Sequence, residues 1–147
     1  MSEAITAKTP WVKNLGDVPA HLDYFQGSMY EAVERIAQQS PNAIAFDFMG
    51  RSTSYKKMIE EIQRCAKSLR TIGVREGDCV TIAMPNCPQA IYVFYAANLI
   101  GAIANMVHPL SSEKEIEFYL NESNSVTEIT LDQFYHKIEA IRNNTNI

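Results

Sequence analysis

"GVREGDCVTIAMPNCPQAIYVFYAANLIGAIANM", residues 73–106, is the stretch on which the fold turns. It opens on a polar turn, Val74 to Asp78, and runs into Cys79-Val80-Thr81-Ile82-Ala83-Met84, a short apolar segment without alternation. A strand with one face in water alternates polar and apolar side chains with a period of two. A run like this one is covered on both faces, as the strands of parallel sheets are. Next, Asn86 offers a helix-capping side chain, and Pro88 fits a first helical turn, where its missing N–H is not needed. From there to Ile100 the chain is apolar almost all round, which predicts a deeply buried helix. Gly101 closes it, and Ala102 to Met106 reads as a second short strand. Strand, helix, strand at this pitch means a right-handed crossover between parallel strands.

The flanks extend the same alternation. Upstream, Ser54 caps a helix whose Met58, Ile62, Cys65, Leu69 and Ile72 step by four and three, with Ile59 and Ala66 widening the stripe. Gly73 is placed to end it in a left-handed conformation. "NAIAFDFMGRSTSY", residues 42–55, reads as two short strands turning at Met49-Gly50-Arg51, with Ile44, Phe46 and Phe48 on one face. Ser28 and Glu31 form a capping box ahead of Met29, Val33, Ile36 and Ala37, which recur at helical spacing until Ser40-Pro41. Residues 1–27 hold prolines, glycines and no steady period. They read as an N-terminal arm lying over a body of residues 28–147, with Trp11 and Tyr24-Phe25 as anchors.

Downstream, Ser112-x-x-Glu115 is a second box, with Ile116, Tyr119 and Leu120 as the stripe behind it. "SVTEIT", residues 125–130, is a further strand. Thr130-x-x-Gln133 reads as a third box leading into Leu131, Phe134, Ile138 and Ile141. The last six residues, "RNNTNI", read as a loop heading toward another strand, so the chain is expected to stop within a fold. The class is α/β, a mainly parallel sheet with flanking helices.

Composition narrows the function. A formal charge of -4 gives no basic face, which disfavours nucleic acid and anionic membranes as partners. Cys65, Cys79 and Cys87 are odd in number and lack metal spacing, as in a reduced, cytoplasmic protein whose cysteines are small core residues. The N-terminus has no apolar run of the kind a signal peptide needs, and the longest apolar stretch, Ala90 to Ala97, is too short to span a bilayer.

No motif supplies a reaction. The glycines at 16, 27, 50, 73, 77 and 101 form neither nucleotide-binding fingerprint; Gly73 and Gly77 read as a helix stop and a turn. Neither a zinc-protease helix motif nor a nucleophile elbow occurs. His21, His108 and His136 have no metal spacing among them. His21 falls in the arm and His136 on a solvated helix face beside Lys137. His108 stands at the carboxyl end of a strand, where open α/β sheets place their ligands, but a strand-to-helix turn beside Pro109 is the preferred reading. Glu60-Glu61 and Glu113, Glu115 and Glu117 suit solvated faces and helix dipoles rather than acid–base work. Tyr92, Phe94 and Tyr95 are read as core. The residues themselves describe a scaffold with no catalytic, cofactor-binding or metal set.

Three segments together resemble a known family: "STSYKKM" (52–58), residues 73–123 from "GVREGD" to "YLNES", and "TEITLDQFYHKI" (127–138). They are similar to the N-terminal part of the adenylate-forming enzymes, which include acyl-CoA synthetases, luciferases and peptide-synthetase adenylation domains. Fatty-acyl-CoA ligases are the most similar branch, and the likeness covers about residues 20–147. It implies an incomplete N-terminal subdomain of the acyl-adenylate-forming fold. It also implies that the complete enzyme activates a carboxylic acid, a fatty one, with ATP and Mg2+ and transfers the acyl group to coenzyme A.

Two departures stand out. Lys57 occupies the position where the family has an acid three after the capping residue, leaving half a box. The family's Ser/Thr/Gly-rich phosphate loop, its adenine and ribose motifs and its catalytic lysine lie beyond the matched region. No catalytic residue is therefore carried over, and the chain alone is expected to be inactive. The alternatives are a stand-alone truncated homologue acting as a binding or regulatory module, and an unrelated small nucleotide-binding α/β protein, against which the missing glycine loop argues.

A fragment would leave sheet edges and the apolar helix partly uncovered, which favours self-association. Light scattering should then show an apparent mass that grows with concentration; a clean monomer over a wide range would contradict this.

Overall fold

The computed structural model describes residues 10–147, so the first nine residues of the expected arm lie outside the described part. Local signals set the elements. Ser28 starts α1 (Met29–Gln39): its hydroxyl accepts from the Glu31 N–H while the Glu31 carboxylate accepts from the Ser28 N–H. β1 (Ile44–Phe48) and β2 (Arg51–Ser54) form an antiparallel hairpin. Its two-residue loop, Met49-Gly50, has φ of 50° and 78°, as a tight hairpin turn demands. α2 (Tyr55–Thr71) is capped by Ser54, which accepts from the Lys57 N–H. Lys57 cannot close a box; its ammonium instead reaches Glu61 one turn on, at 2.8 Å.

β3 (Cys79–Ala83), α3 (Pro88–Leu99), β4 (Ile103–Met106), α4 (Glu113–Glu122), β5 (Ser125–Thr130) and α5 (Tyr135–Ile141) follow. The three strands make a parallel sheet of order β4-β3-β5, so β3 is central. All five of its residues are buried, as the unbroken apolar run predicts. Val80 and Ile82 face α2 and α3, packing with Ile62, Ala66, Leu69, Val93, Ala96 and Ala97. Each buried Val, Leu or Ile side chain there contributes about 1.5–3 kcal/mol relative to exposure. On the opposite side Ile116 and Leu120 of α4 meet Ile138 and Ile141 of α5 in a second, smaller cluster.

α2 and α3 stop in the same way. The Gly73 N–H donates to the Arg70 carbonyl and the Val74 N–H to that of Leu69, at 3.1 and 3.0 Å. Gly101 and Ala102 repeat the pair onto Asn98 and Ala97, at 3.2 and 2.9 Å. The glycines adopt φ of 103° and 78°.

Several local expectations need correction. Cys87, not Asn86, is the N-cap of α3, and its side chain makes no capping bond; Pro88 fixes the helix start without one. Thr130 does not open a third box: it belongs to β5, paired with Ala83, and its hydroxyl donates to the Ala83 carbonyl. A 3-10 turn, Asp132–Phe134, precedes α5 instead. The buried face of α1 runs through Tyr30, Val33 and Ala37, with Met29 and Ile36 exposed; the Tyr30 N–H is held by Asn98 of α3 at 2.8 Å. β4 is an edge strand, with Ile103 and Met106 more than half exposed. Tyr119 and Ile72 also lie outside the core. Trp11, Tyr24 and Phe25, read as anchors, are exposed; the Arg35 guanidinium lies 5.8 Å from the Phe25 ring centre. Among the described residues no helix is long and apolar enough to cross a membrane.

Gly101→Ala should cost about 1–2 kcal/mol, from the left-handed conformation alone. A Cβ there would also stand 2.8 Å from Cγ of Glu76, whereas at Gly73 it meets nothing within 4 Å. Urea denaturation should thus rank Gly101→Ala as more destabilising than Gly73→Ala.

Candidate functional site at the carboxyl ends of the strands

Parallel strands deliver their following loops to one edge of the sheet, and ligands of open α/β sheets bind there. Here the loops after β3, β4 and β5 enclose an open crevice of about 560 Å3, lined by Met84, Asn86, Met106, His108, Leu110 and Phe134 among others. Its base is fixed by the sheet: the Val107 N–H donates to the Ile82 carbonyl at 3.1 Å. His108 is exposed on the rim. Its Nδ1 accepts from the Leu110 N–H at 3.2 Å, and its carbonyl accepts from the Ser111 N–H at 3.1 Å. That is the geometry of a turn residue, with one ring nitrogen already committed to the backbone.

The other candidates are not brought together. His21 and His136 are exposed, and Nδ1 of His136 lies 3.1 Å from the Gln133 carbonyl of its own turn. The Lys57 ammonium, with Arg64 adding to it, holds Glu61 below the ordinary carboxylate range. Glu115 is held low by the Ser112 N–H and hydroxyl of its capping box. Both are surface structural roles. Among the described residues no three His, Cys, Asp or Glu side chains stand close enough to hold a metal ion.

A second cavity, of about 420 Å3, lies between the β1–β2 hairpin and the first half of α3. Phe46, Phe48, Ile91, Phe94, Tyr95 and Met106 give it an apolar wall, and Asn86 and Met106 belong to both spaces. Phe94 and Tyr95, read from sequence as core, are half-buried here and form an edge-to-face pair at 5.3 Å. Tyr92 packs on Phe46 across the hairpin, with ring centres 6.2 Å apart. The sequence holds no signal for this cavity, because the hairpin and α3 meet only in three dimensions. Among the described residues neither space is lined by a lysine or arginine, the positive charge a polyphosphate requires.

The sheet face opposite α2 and α3 carries polar groups that sequence reading passed over. The Thr81 and Ser125 hydroxyls lie 2.7 Å apart, and Asn105 Nδ2 donates to Thr81 at 3.0 Å and to Ser123 at 3.3 Å. Glu128, beside them, buries both carboxyl oxygens without a partner, and burial pushes its pKa up to about 7. The signal was present as a lone carboxylate in the strand "SVTEIT".

Known proteins match the same region. The family model described as AMP-binding enzyme matches residues 33–146. A long-chain-fatty-acid–CoA ligase of Bacillus subtilis is 26% identical over 132 residues, covering 89% of this chain and 24% of that protein. Acetyl-coenzyme A synthetase 1 of Saccharomyces cerevisiae is 35% identical over 111 residues, covering 71% of this chain and 16% of its own. The crystal structure of the N-terminal domain of FACL13 from Mycobacterium tuberculosis superposes with a TM-score of 0.75 at 28% identity, over 80% of this chain and 30% of that one. The chain thus spans about a quarter or less of the length of these curated relatives.

His108→Ala should lower stability by less than about 1 kcal/mol, since one neutral turn hydrogen bond is at stake on an exposed residue. Equilibrium urea unfolding checks this; a loss of several kcal/mol would mean that the ring supports the crevice.

Proposed function

The chain belongs to the AMP-binding enzyme family, and from that membership we propose that it is the N-terminal framework of an acyl-CoA synthetase. In this reading the complete enzyme joins a carboxylic acid, a fatty one, to AMP using ATP, and then passes the acyl group to coenzyme A in the cytoplasm. Residues 1–27 serve as an arm and residues 28–147 as the α/β framework. The observation that carries the reading is the agreement of four-fifths of the chain with the N-terminal domain of a solved relative. The similarity to a long-chain-fatty-acid–CoA ligase supports the choice of a fatty acid.

The chain's own contribution is positional. β3 is held between two layers, and its loop opens on the crevice with Asn86 and His108 at the mouth. Acyl adenylation develops charge on the oxygens of a transferring phosphoryl group, and donors, cations and Mg2+ must be aimed at that charge. No phosphate-cradling loop occurs in this sequence, and among the described residues no basic side chain lines the crevice. The residues present do not make a triphosphate or Mg2+ site, so no chemical step is assigned to them. The catalytic groups come from the rest of the enzyme, and the 147 residues alone do not catalyse.

ATP–pyrophosphate exchange with a fatty acid tests both halves of the proposal. The expected result is no exchange by the 147-residue chain and exchange by a full-length enzyme that carries it. Turnover by the short chain would overturn the assignment of catalysis to other segments. A full-length protein that activates no carboxylic acid would overturn the synthetase reading.

A further inference from the structure

Glu128 sits where a carboxylate is costly. In the ladder it pairs with Thr81, and Ser125 pairs with Cys79, so all four share one face of the sheet. Val80 and Ile82 point the other way, into the α2–α3 core. α4 reaches the Glu128 face: Ser123, at its carboxyl end, bonds Asn105 and Ser125 there. Ile116 and Leu120 of α4 pack in turn with Ile138 and Ile141 of α5, so the two helices form one layer.

The polar neighbours are committed elsewhere: Thr81 and Asn105 to the serine network, Thr130 to the Ala83 carbonyl. The charges of the covering helices are committed as well. Lys137 donates to the Ser111 carbonyl at 2.8 Å and lies over the Phe134 ring; Glu117 accepts from Asn144; Glu115 caps with Ser112. Glu113, Lys114, Glu122, His136, Glu139 and Arg142 are exposed. Cys79, bonded by Ser125, is the titratable group on the same face of β3. Both Glu128 oxygens are left buried without a donor. Such a carboxyl is tolerated as the neutral acid and is costly as the anion.

We propose that α4 and α5 form a proton-dependent cover over this face of the sheet, seated while Glu128 holds its proton and loosened when it ionises. The cover is the part of the fold best able to move. Its cluster has four buried residues against fifteen in the main core, and local opening follows the weaker unit. The sign follows from linkage. Burial raises the folded-state pKa from 4.5 to about 7, so the folded state holds the proton more tightly than the open one. Stability of the cover is full below the lower value, falls as pH rises between the two, and is flat above. This inference does not depend on the synthetase reading.

Amide hydrogen exchange on the 147-residue chain at about pH 5.5 and about pH 8, corrected for intrinsic rates, is the test. Protection of α4 and α5 should fall more than about tenfold at the higher pH while α2 and α3 hold, and Glu128→Gln should abolish the difference. Equal protection of α4 and α5 at both pH values overturns the proposal. If Glu128→Gln does not fold, carboxyl 13C titration of the unaltered protein decides: a midpoint near 7 supports it, and one near 4.5 overturns it.

Discussion

Residues 79–83 lose water on both faces at once, and the rest of the structure is arranged to make that possible. A strand buried on one side needs one covering layer; β3 needs two, plus a neighbour on each edge. β4 and β5 supply the edges, α2 and α3 one layer, and α4, backed by α5, the other. The main-chain groups of β3 are satisfied within the ladder, and its hydroxyl, on Thr81, is satisfied by Ser125 and Asn105. The two layers are unequal. The α2–α3 side is apolar and large, whereas the α4–α5 side is small and seated on a polar face that includes one unpartnered carboxyl.

The ends of the helices then fix where the loops go. Paired glycine stops at Gly73 and Gly101 turn the chain sharply back into β3 and β4. The Gly77 N–H donates to the Gly101 carbonyl at 2.9 Å, tying the two turns together at the amino end of the sheet. The crevice forms at the other, carboxyl end, between the loops that follow the strands. Rigid construction at one edge and open loops at the other is how a parallel α/β unit presents a surface for chemistry. Among the described residues no lysine or arginine lines that surface.

What could be read from sequence follows the range of the interactions. The double burial of β3, the boxes at Ser28 and Ser112, and the stops at Gly73 and Gly101 are local and legible. Choices between adjacent residues were not: Asn86 against Cys87 as cap, or Met29 against Tyr30 on the buried face of α1. Glu128 shows the limit most clearly. Counting by twos from buried Ser125 puts Glu128 on the opposite face. A register shift between Cys79 and Val80, with Ser125 and Thr127 as their partners, moves it onto the face of Ser125 and Thr81. The cavity walled by Phe46, Phe48 and Phe94 was illegible for the same reason: two elements remote in sequence make it.

The central claim is that these residues are the framework of a longer acyl-CoA synthetase. The most direct measurement is the nucleotide sequence of the source gene beyond the codon for Ile147. The account predicts an open frame continuing into a Ser/Thr/Gly-rich loop that ends in Pro-Lys-Gly, where the missing phosphate donors would lie. A stop codon immediately after Ile147 would contradict it, leaving a scaffold without the groups that activate an acid.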